Sequence, residues 1–275
     1  MNLNLKKFDI KSIKSDKVCV FIGKRETGKS FLVKDLLYYH RHLPIGTVIS
    51  GTEGANKFYG HMVPEVFIHD EYTPQLVANA MTRQKKVVSR MTNEMEVYKK
   101  SNINPWAFLI LDDCLYDSSW TRDSNIRSFF MNGRHYKTLF IITMQYALGI
   151  PPNLRTNIDY VFILRENYVS NRKRIYENYA GMFPTFDIFC QVMDQCTEDY
   201  NCLVINNNAK SNKLEEQVFW YKASPHENFR IGNPEFWRIQ AQKKNTPDND
   251  EEDNRFDPNA HRKKGPKINV NKNIR

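Results

Sequence analysis

Eight consecutive residues, Gly23-Lys24-Arg25-Glu26-Thr27-Gly28-Lys29-Ser30, constrain this chain more than any others, because they fit G-x-x-x-x-G-K-[ST] at every fixed position. Val18-Cys19-Val20-Phe21-Ile22 precedes them, a short apolar, β-branched run that predicts a buried strand. Phe31 to Tyr39 follows with apolar residues at helical spacing. Strand, glycine-bounded loop and helix, in that order, form a loop that wraps phosphate with its own backbone N–H groups. Gly23 and Gly28 permit the close approach that a Cβ would block, and the helix start adds orphan N–H groups and a positive dipole end. In such a P-loop, Lys29 reaches the β- and γ-phosphates of ATP and the Ser30 hydroxyl is a ligand of Mg²⁺.

A second element turns nucleotide binding toward hydrolysis. Trp106-Ala107-Phe108-Leu109-Ile110-Leu111 predicts a fully buried strand ending in Asp112-Asp113, where α/β sheets place their ligand sites. Behind a P-loop, Asp112 holds Mg²⁺ through water and Asp113 orients and polarises the attacking water, a role more usually given to the longer Glu. Taken without the P-loop, the same pair also reads as ordinary strand-end carboxylates capping the next loop. Thr138 to Thr143 predicts a further buried strand followed by Met144-Gln145, whose amide could sense the γ-phosphate or hold the water.

At 275 residues the chain accommodates one α/β domain with its own core. Further strands are predicted at 46–50, 66–69, 160–164, 200–205 and 217–221, with a possible edge strand at 8–10. Helices are predicted at 73–100, 118–132, 171–195 with a break at Gly181 to Pro184, and 235–243. Residues 51–60 and 151–155 read as loops. The organisation is therefore a basic lead-in over 1–16, a P-loop domain over 17–243 and a charged, disordered tail over 244–275, where apolar residues nearly vanish. No apolar run approaches the roughly 20 residues of a membrane span, and the first seven residues lack a signal peptide's apolar core. The expectation is a soluble protein at work inside a cell or a particle assembled there. The five cysteines contain no C-x-x-C pair, and Cys19 and Cys114 sit in or beside apolar runs as small apolar residues. The net charge of +9 fits a polyanionic partner such as nucleic acid, and equally a solvated basic surface. The same two readings apply to the basic middle of the 73–100 helix, Arg83, Lys85, Lys86 and Arg90.

The order G-K-R-E-T-G-K-S, an apolar strand with Asp112-Asp113, then N-G-R-H-Y-K, I-I-T-M-Q and P-P-N-L-R-T-N-I-D-Y resembles the FtsK/HerA superfamily of DNA-pumping ATPases. Within it, residues of about 15–225 are similar to the DNA-packaging ATPases of large nucleocytoplasmic DNA viruses, the poxvirus and giant-virus type. The resemblance implies a RecA-like α/β fold with a mostly parallel central sheet flanked by helices. It also implies Asp112 and Asp113 as the Walker B pair and Gln145 as the strand-end sensor. Arg134 resembles the arginine that reaches a neighbouring subunit's nucleotide in related ring motors, and Arg155 is a second candidate. Family members form rings, usually hexameric, that thread double-stranded DNA. A capsid or portal partner, and a location at assembly sites in the host cytoplasm or in the virion, are implied likewise. The alternatives are a cellular or plasmid pump or helicase of the same superfamily, a small-molecule kinase, and a nucleotide-dependent scaffold with slow hydrolysis. Kinases of that kind carry an Arg-rich lid and lack the Gln-ended strand, and no guanine-reading N-K-x-D supports a GTPase.

Overall fold

A computed structural model describes residues 3–114, 118–147 and 150–245. The predicted tail falls outside them from residue 246 onward. In chain order the first half comprises β1 (Val18–Ile22), α1 (Lys29–Tyr39), β2 (Ile45–Ser50), α2 (Glu53–Asn56), β3 (Ile68–His69), α3 (Pro74–Tyr98) and β4 (Ala107–Asp112). Then come α4 (Ser124–Asn132), β5 (Thr138–Met144), α5 (Pro152–Arg155), β6 (Tyr160–Ile163), α6 (Val169–Tyr179) and α7 (Phe186–Cys196). The described chain closes with β7 (Asn201–Asn206), α8 (Leu214–Gln217), β8 (Val218–Lys222) and α9 (Pro234–Asn245).

The strands form one sheet in the order β3-β2-β4-β5-β1-β6-β7-β8. Pairs from β3 through β6 are parallel, and β6-β7 and β7-β8 are antiparallel. β1, β4 and β5 are buried along their whole length, so they read as continuous apolar runs rather than alternating ones. Alternation survives in which face each residue serves. Val18, Val20 and Ile22 pack under α3, α4, α6 and α7 with Met81, Phe129, Ile175 and Phe189. Cys19 and Phe21 face the opposite layer, with Leu32, Leu36 and Leu37 of α1. Phe8, Ile10 and Ile13 of the basic lead-in join that second layer. α1 is also pinned to the far edge: buried Asp35 accepts hydrogen bonds from Tyr221 Oη at 2.6 Å and Ser224 N at 3.0 Å, and its other oxygen lies 2.5 Å from His226 Nε2.

Several local expectations are refined by tertiary contacts. The segment 51–60 holds two helical turns, because buried Glu53 accepts from Tyr59 N at 2.9 Å and Gly60 N at 2.7 Å and folds the segment back on itself. The 118–132 helix is split by Asp123, whose side chain caps α4 by accepting from Asn125 N. Residues 152–155 form the helical turn α5 rather than a loop. The expected edge strand at 8–10 reduces to a bridge between Lys7 and Trp220 and a 3-10 turn capped by Asp9. Thr73 caps α3 with Pro74 as its first residue, as its sequence predicts. Within α3, Arg83 leaves the basic face: its guanidinium donates to Gly46 O at 3.1 Å, whereas Lys85, Lys86 and Arg90 stay exposed.

Candidate active site

Because β1, β4, β5 and β6 are parallel, their C-terminal ends share one edge of the sheet, and the loop after β1 lies at the centre of it. A Cβ on Gly23 would stand 2.7 Å from Thr27 Oγ1 and 2.8 Å from Leu164 Cβ, so only glycine fits. Gly28 has φ of 100° and caps α1 in the left-handed region, and Glu26 also has positive φ at 62°. Gly23 N donates to Met144 O at 3.1 Å, tying the loop to β5, and Thr27 Oγ1 donates to Lys24 O at 2.7 Å, closing the turn. Lys29 is buried, and its ammonium donates to Gly23 O at 2.6 Å and Lys24 O at 3.1 Å. Ser30 follows on the first turn of α1, half-buried, while Arg25 and Glu26 are exposed.

The acidic pair is built by register. Ser50, Asp112 and Thr143 stand opposite one another on β2, β4 and β5. Thr143 Oγ1 donates to Asp112 Oδ1 at 2.6 Å and Ser50 Oγ to Asp112 Oδ2 at 3.2 Å. Burial pushes the Asp112 carboxyl above its ordinary pKa and the neighbouring Asp113 charge adds to this, while the hydroxyl hydrogen bonds oppose it. Tyr59, fully buried beside Asp112, is raised well above the usual phenol range by burial first and by that carboxylate second. Among the described residues no cationic side chain pairs with Asp112. A desolvated carboxylate held by two hydroxyls offers hard oxygen donors of the kind that suit Mg²⁺.

Asp113 takes a left-handed conformation with φ of 46°, and its N–H donates to Thr143 Oγ1 at 3.0 Å. That turn sets its carboxylate 3.5 Å from Lys29 Nζ, and Gln145 Nε2 donates to the same oxygen at 3.3 Å. Lys29, Asp113 and Gln145, spread over more than a hundred residues of sequence, thus meet at one point. Sequence reasoning missed Ser50, Thr143, Tyr59 and Glu53. For Ser50 and Thr143 the available signal was a hydroxyl residue near the C-terminal end of an apolar strand, level with the acidic pair.

Lys24 and the two arginines lie elsewhere. The Lys24 ammonium pairs with Glu166 at 2.7 Å and sits 3.6 Å from the Tyr168 ring centre. Burial alone would raise the Glu166 pKa, but hydrogen bonds from Lys24, Tyr168 N and Asn171 outweigh it and hold the carboxyl below its ordinary value. Arg134 is exposed in the turn that leads into β5, and Arg155 ends α5 with its guanidinium 5.8 Å from the Tyr179 ring. Both lie near the N-terminal edge of the parallel strands. A strand rises about 3.3 Å per residue, so the length of β5 puts about 20 Å between Arg134 and the loop of its own chain.

β5 stands between the loop strand and the carboxylate strand, and the glutamine that directly follows it closes on the acid that follows β4. This arrangement is that of a P-loop NTPase fold, a mainly parallel sheet flanked by helices. The genome packaging NTPase B204 of Sulfolobus turreted icosahedral virus 2, solved with sulfate, matches it with a TM-score of 0.55 over 78% of this chain and 100% of that one, at 14% identity. The same NTPase solved with ATP-gammaS gives 0.50 over the same shares, at 14% identity. No protein-family model matches the sequence. Protein L437 of Acanthamoeba polyphaga mimivirus is 40% identical over 240 residues, 86% of this chain and 84% of its own. Protein 088R of Invertebrate iridescent virus 3 is 41% identical over 216 residues, 78% of either chain. The chain belongs to this family of large DNA virus proteins. No helix among the described residues is long and apolar enough to cross a membrane.

Proposed function

We propose that this chain is an ATP-hydrolysing motor that translocates double-stranded DNA during viral genome packaging. The observation that carries the reading is the meeting of Lys29, Asp113 and Gln145 beside the hydroxyl-held Asp112, at the mouth of a loop built for phosphate. The fold shared with a packaging NTPase supports the coupling to DNA.

The roles follow from chemistry. The loop N–H groups from Lys24 to Ser30 and the Lys29 ammonium bind the triphosphate and neutralise its charge. Ser30 and Asp112 hold Mg²⁺, which supplies further charge neutralisation on the phosphate oxygens. Asp113 accepts the proton of the attacking water, and Gln145, already bonded to Asp113, orients that water. The left-handed backbone of Asp113 turns the short carboxylate toward Lys29, which offsets the missing methylene of the more usual Glu. Arg134 and Arg155 lie too far from their own loop to act in cis. An arginine finger therefore comes from a neighbouring subunit, and Arg134, the more exposed of the two, is assigned that role. A homo-oligomeric ring, of six subunits by resemblance, follows as the working unit. It acts with a capsid or portal protein at assembly sites in the host cytoplasm or in the virion.

The test is ATP turnover with and without double-stranded DNA. DNA-stimulated turnover that disappears in Lys29→Ala supports the motor, and turnover indifferent to DNA sinks it. Arg134→Ala is expected to bind ATP without hydrolysing it. Mixing it with Asp113→Ala is expected to restore part of the activity, and mixed rings without rescue would remove the finger from Arg134.

A further inference from the structure

Beside the phosphate loop stands an aromatic ring that no step above uses. Tyr200 is 67% exposed, yet its ring carbon Cδ1 lies 3.5 Å from where a Cβ on Gly28 would stand. Its backbone is unusual: Asp199 and Tyr200 have φ of 50° and 62°, two successive non-glycine residues in the left-handed region. For a bulky residue this is an outlier, and such strain collects where a side chain must be aimed. The turn is held by Asn201, whose backbone and side-chain amides both donate to Glu198 O, at 2.8 and 2.6 Å. Because β7 is antiparallel to β6, its first residue lies on the phosphate-loop edge, and Tyr200 directly precedes it.

The sheet order gives the ring its meaning. The groups proposed to act on the γ-phosphate, Asp112, Asp113 and Gln145, follow β4 and β5, on one side of β1. A nucleotide with its γ-phosphate there must lead its nucleoside the other way, across β1 toward β6 and β7. Strands lie about 4.8 Å apart, so the start of β7 is about 14 Å from the end of β5, on the nucleoside side. We propose that Tyr200 is the stacking platform for the purine base of the bound nucleoside triphosphate. The assignment rests on the nucleotide reading above and adds to it the element that recognises the base rather than the phosphates.

The test separates base from phosphate. The full chain is titrated by calorimetry with AMPPNP and with inorganic tripolyphosphate, each with Mg²⁺. Tyr200→Asn removes the ring while keeping a residue that tolerates the left-handed region. It is expected to weaken AMPPNP binding roughly 10- to 100-fold, the range of one base-aromatic stack, and to leave tripolyphosphate binding unchanged. Tyr200→Phe is expected to bind both ligands as the wild type does. Unchanged AMPPNP affinity in Tyr200→Asn, or an equal loss for both ligands, overturns the platform and leaves the phosphate loop standing. A wild-type chain that binds neither ligand overturns the nucleotide reading and this one with it.

Discussion

Thr143 is the residue through which the acidic pair is held, and Thr143→Val tests that directly. Its hydroxyl donates to Asp112 Oδ1 at 2.6 Å and accepts from Asp113 N at 3.0 Å, while the side chain itself is fully buried. Valine keeps the shape and the β-branch, so the loss is almost purely that of the hydroxyl. A hydrogen bond to a charged group is worth about 1.5–3 kcal/mol, and the orphaned Asp113 N–H, half-buried, adds about 1 kcal/mol. The expected destabilisation is about 2–4 kcal/mol, read by urea unfolding at pH 8. Asp113 also loses the bond that holds its left-handed backbone, a conformation that costs about 1–2 kcal/mol. Its carboxylate should then swing away from Lys29 and Gln145. ATP binding is expected to persist while turnover falls by an order of magnitude or more, and Thr143→Ser is expected to recover both stability and turnover. A Thr143→Val protein within about 0.5 kcal/mol of wild type, with normal turnover, would refute the reasoning.

Two further predictions concern the scaffold. Asp35→Ala strands Tyr221, Ser224 N and His226 under α1, and is expected to cost about 3–5 kcal/mol, measured by denaturant unfolding; a loss under 1 kcal/mol would show that water replaces the carboxylate. Burial, helped by His42, lowers the pKa of His40 from 6.5 to about 4, so between those values the unfolded chain binds a proton that the folded chain does not. Stability should therefore fall as pH drops through that window, by about 3 kcal/mol from this residue. His40→Gln should flatten the wild-type curve there, and parallel curves for the two proteins would remove His40 as the cause.

How much of this was legible beforehand differs by residue. The loop was fully so, because G-x-x-x-x-G-K-[ST] is a local device: its conformation depends on two glycines and a helix start only a few residues away. β4 and β5 were legible for the same reason, since a strand covered on both faces must be apolar throughout, and a carboxylate or amide at its end stands out. The helical turns at Glu53–Asn56 and Tyr59–His61 were not, because they depend on where a buried Glu53 finds its donors. Arg83 was misplaced among the basic surface residues because charge says nothing of direction, and only the packing of α3 on β2 turns it toward Gly46 O.

The sequence by itself determined the chemistry available: a phosphate loop, a strand-end acid pair, a strand-end amide and a class of relatives. Tertiary structure alone decided which of them meet. Parallel register carried Thr143 level with Asp112 and brought Gln145 onto Asp113. Position at the N-terminal edge of the parallel strands set Arg134 and Arg155 apart from the loop, and strand order with the antiparallel turn into β7 set Tyr200 beside Gly28. The physical reason is that the motif is closed by contacts between neighbours in the chain. The site is closed by hydrogen bonds between strands whose order in the sheet is not their order in the sequence.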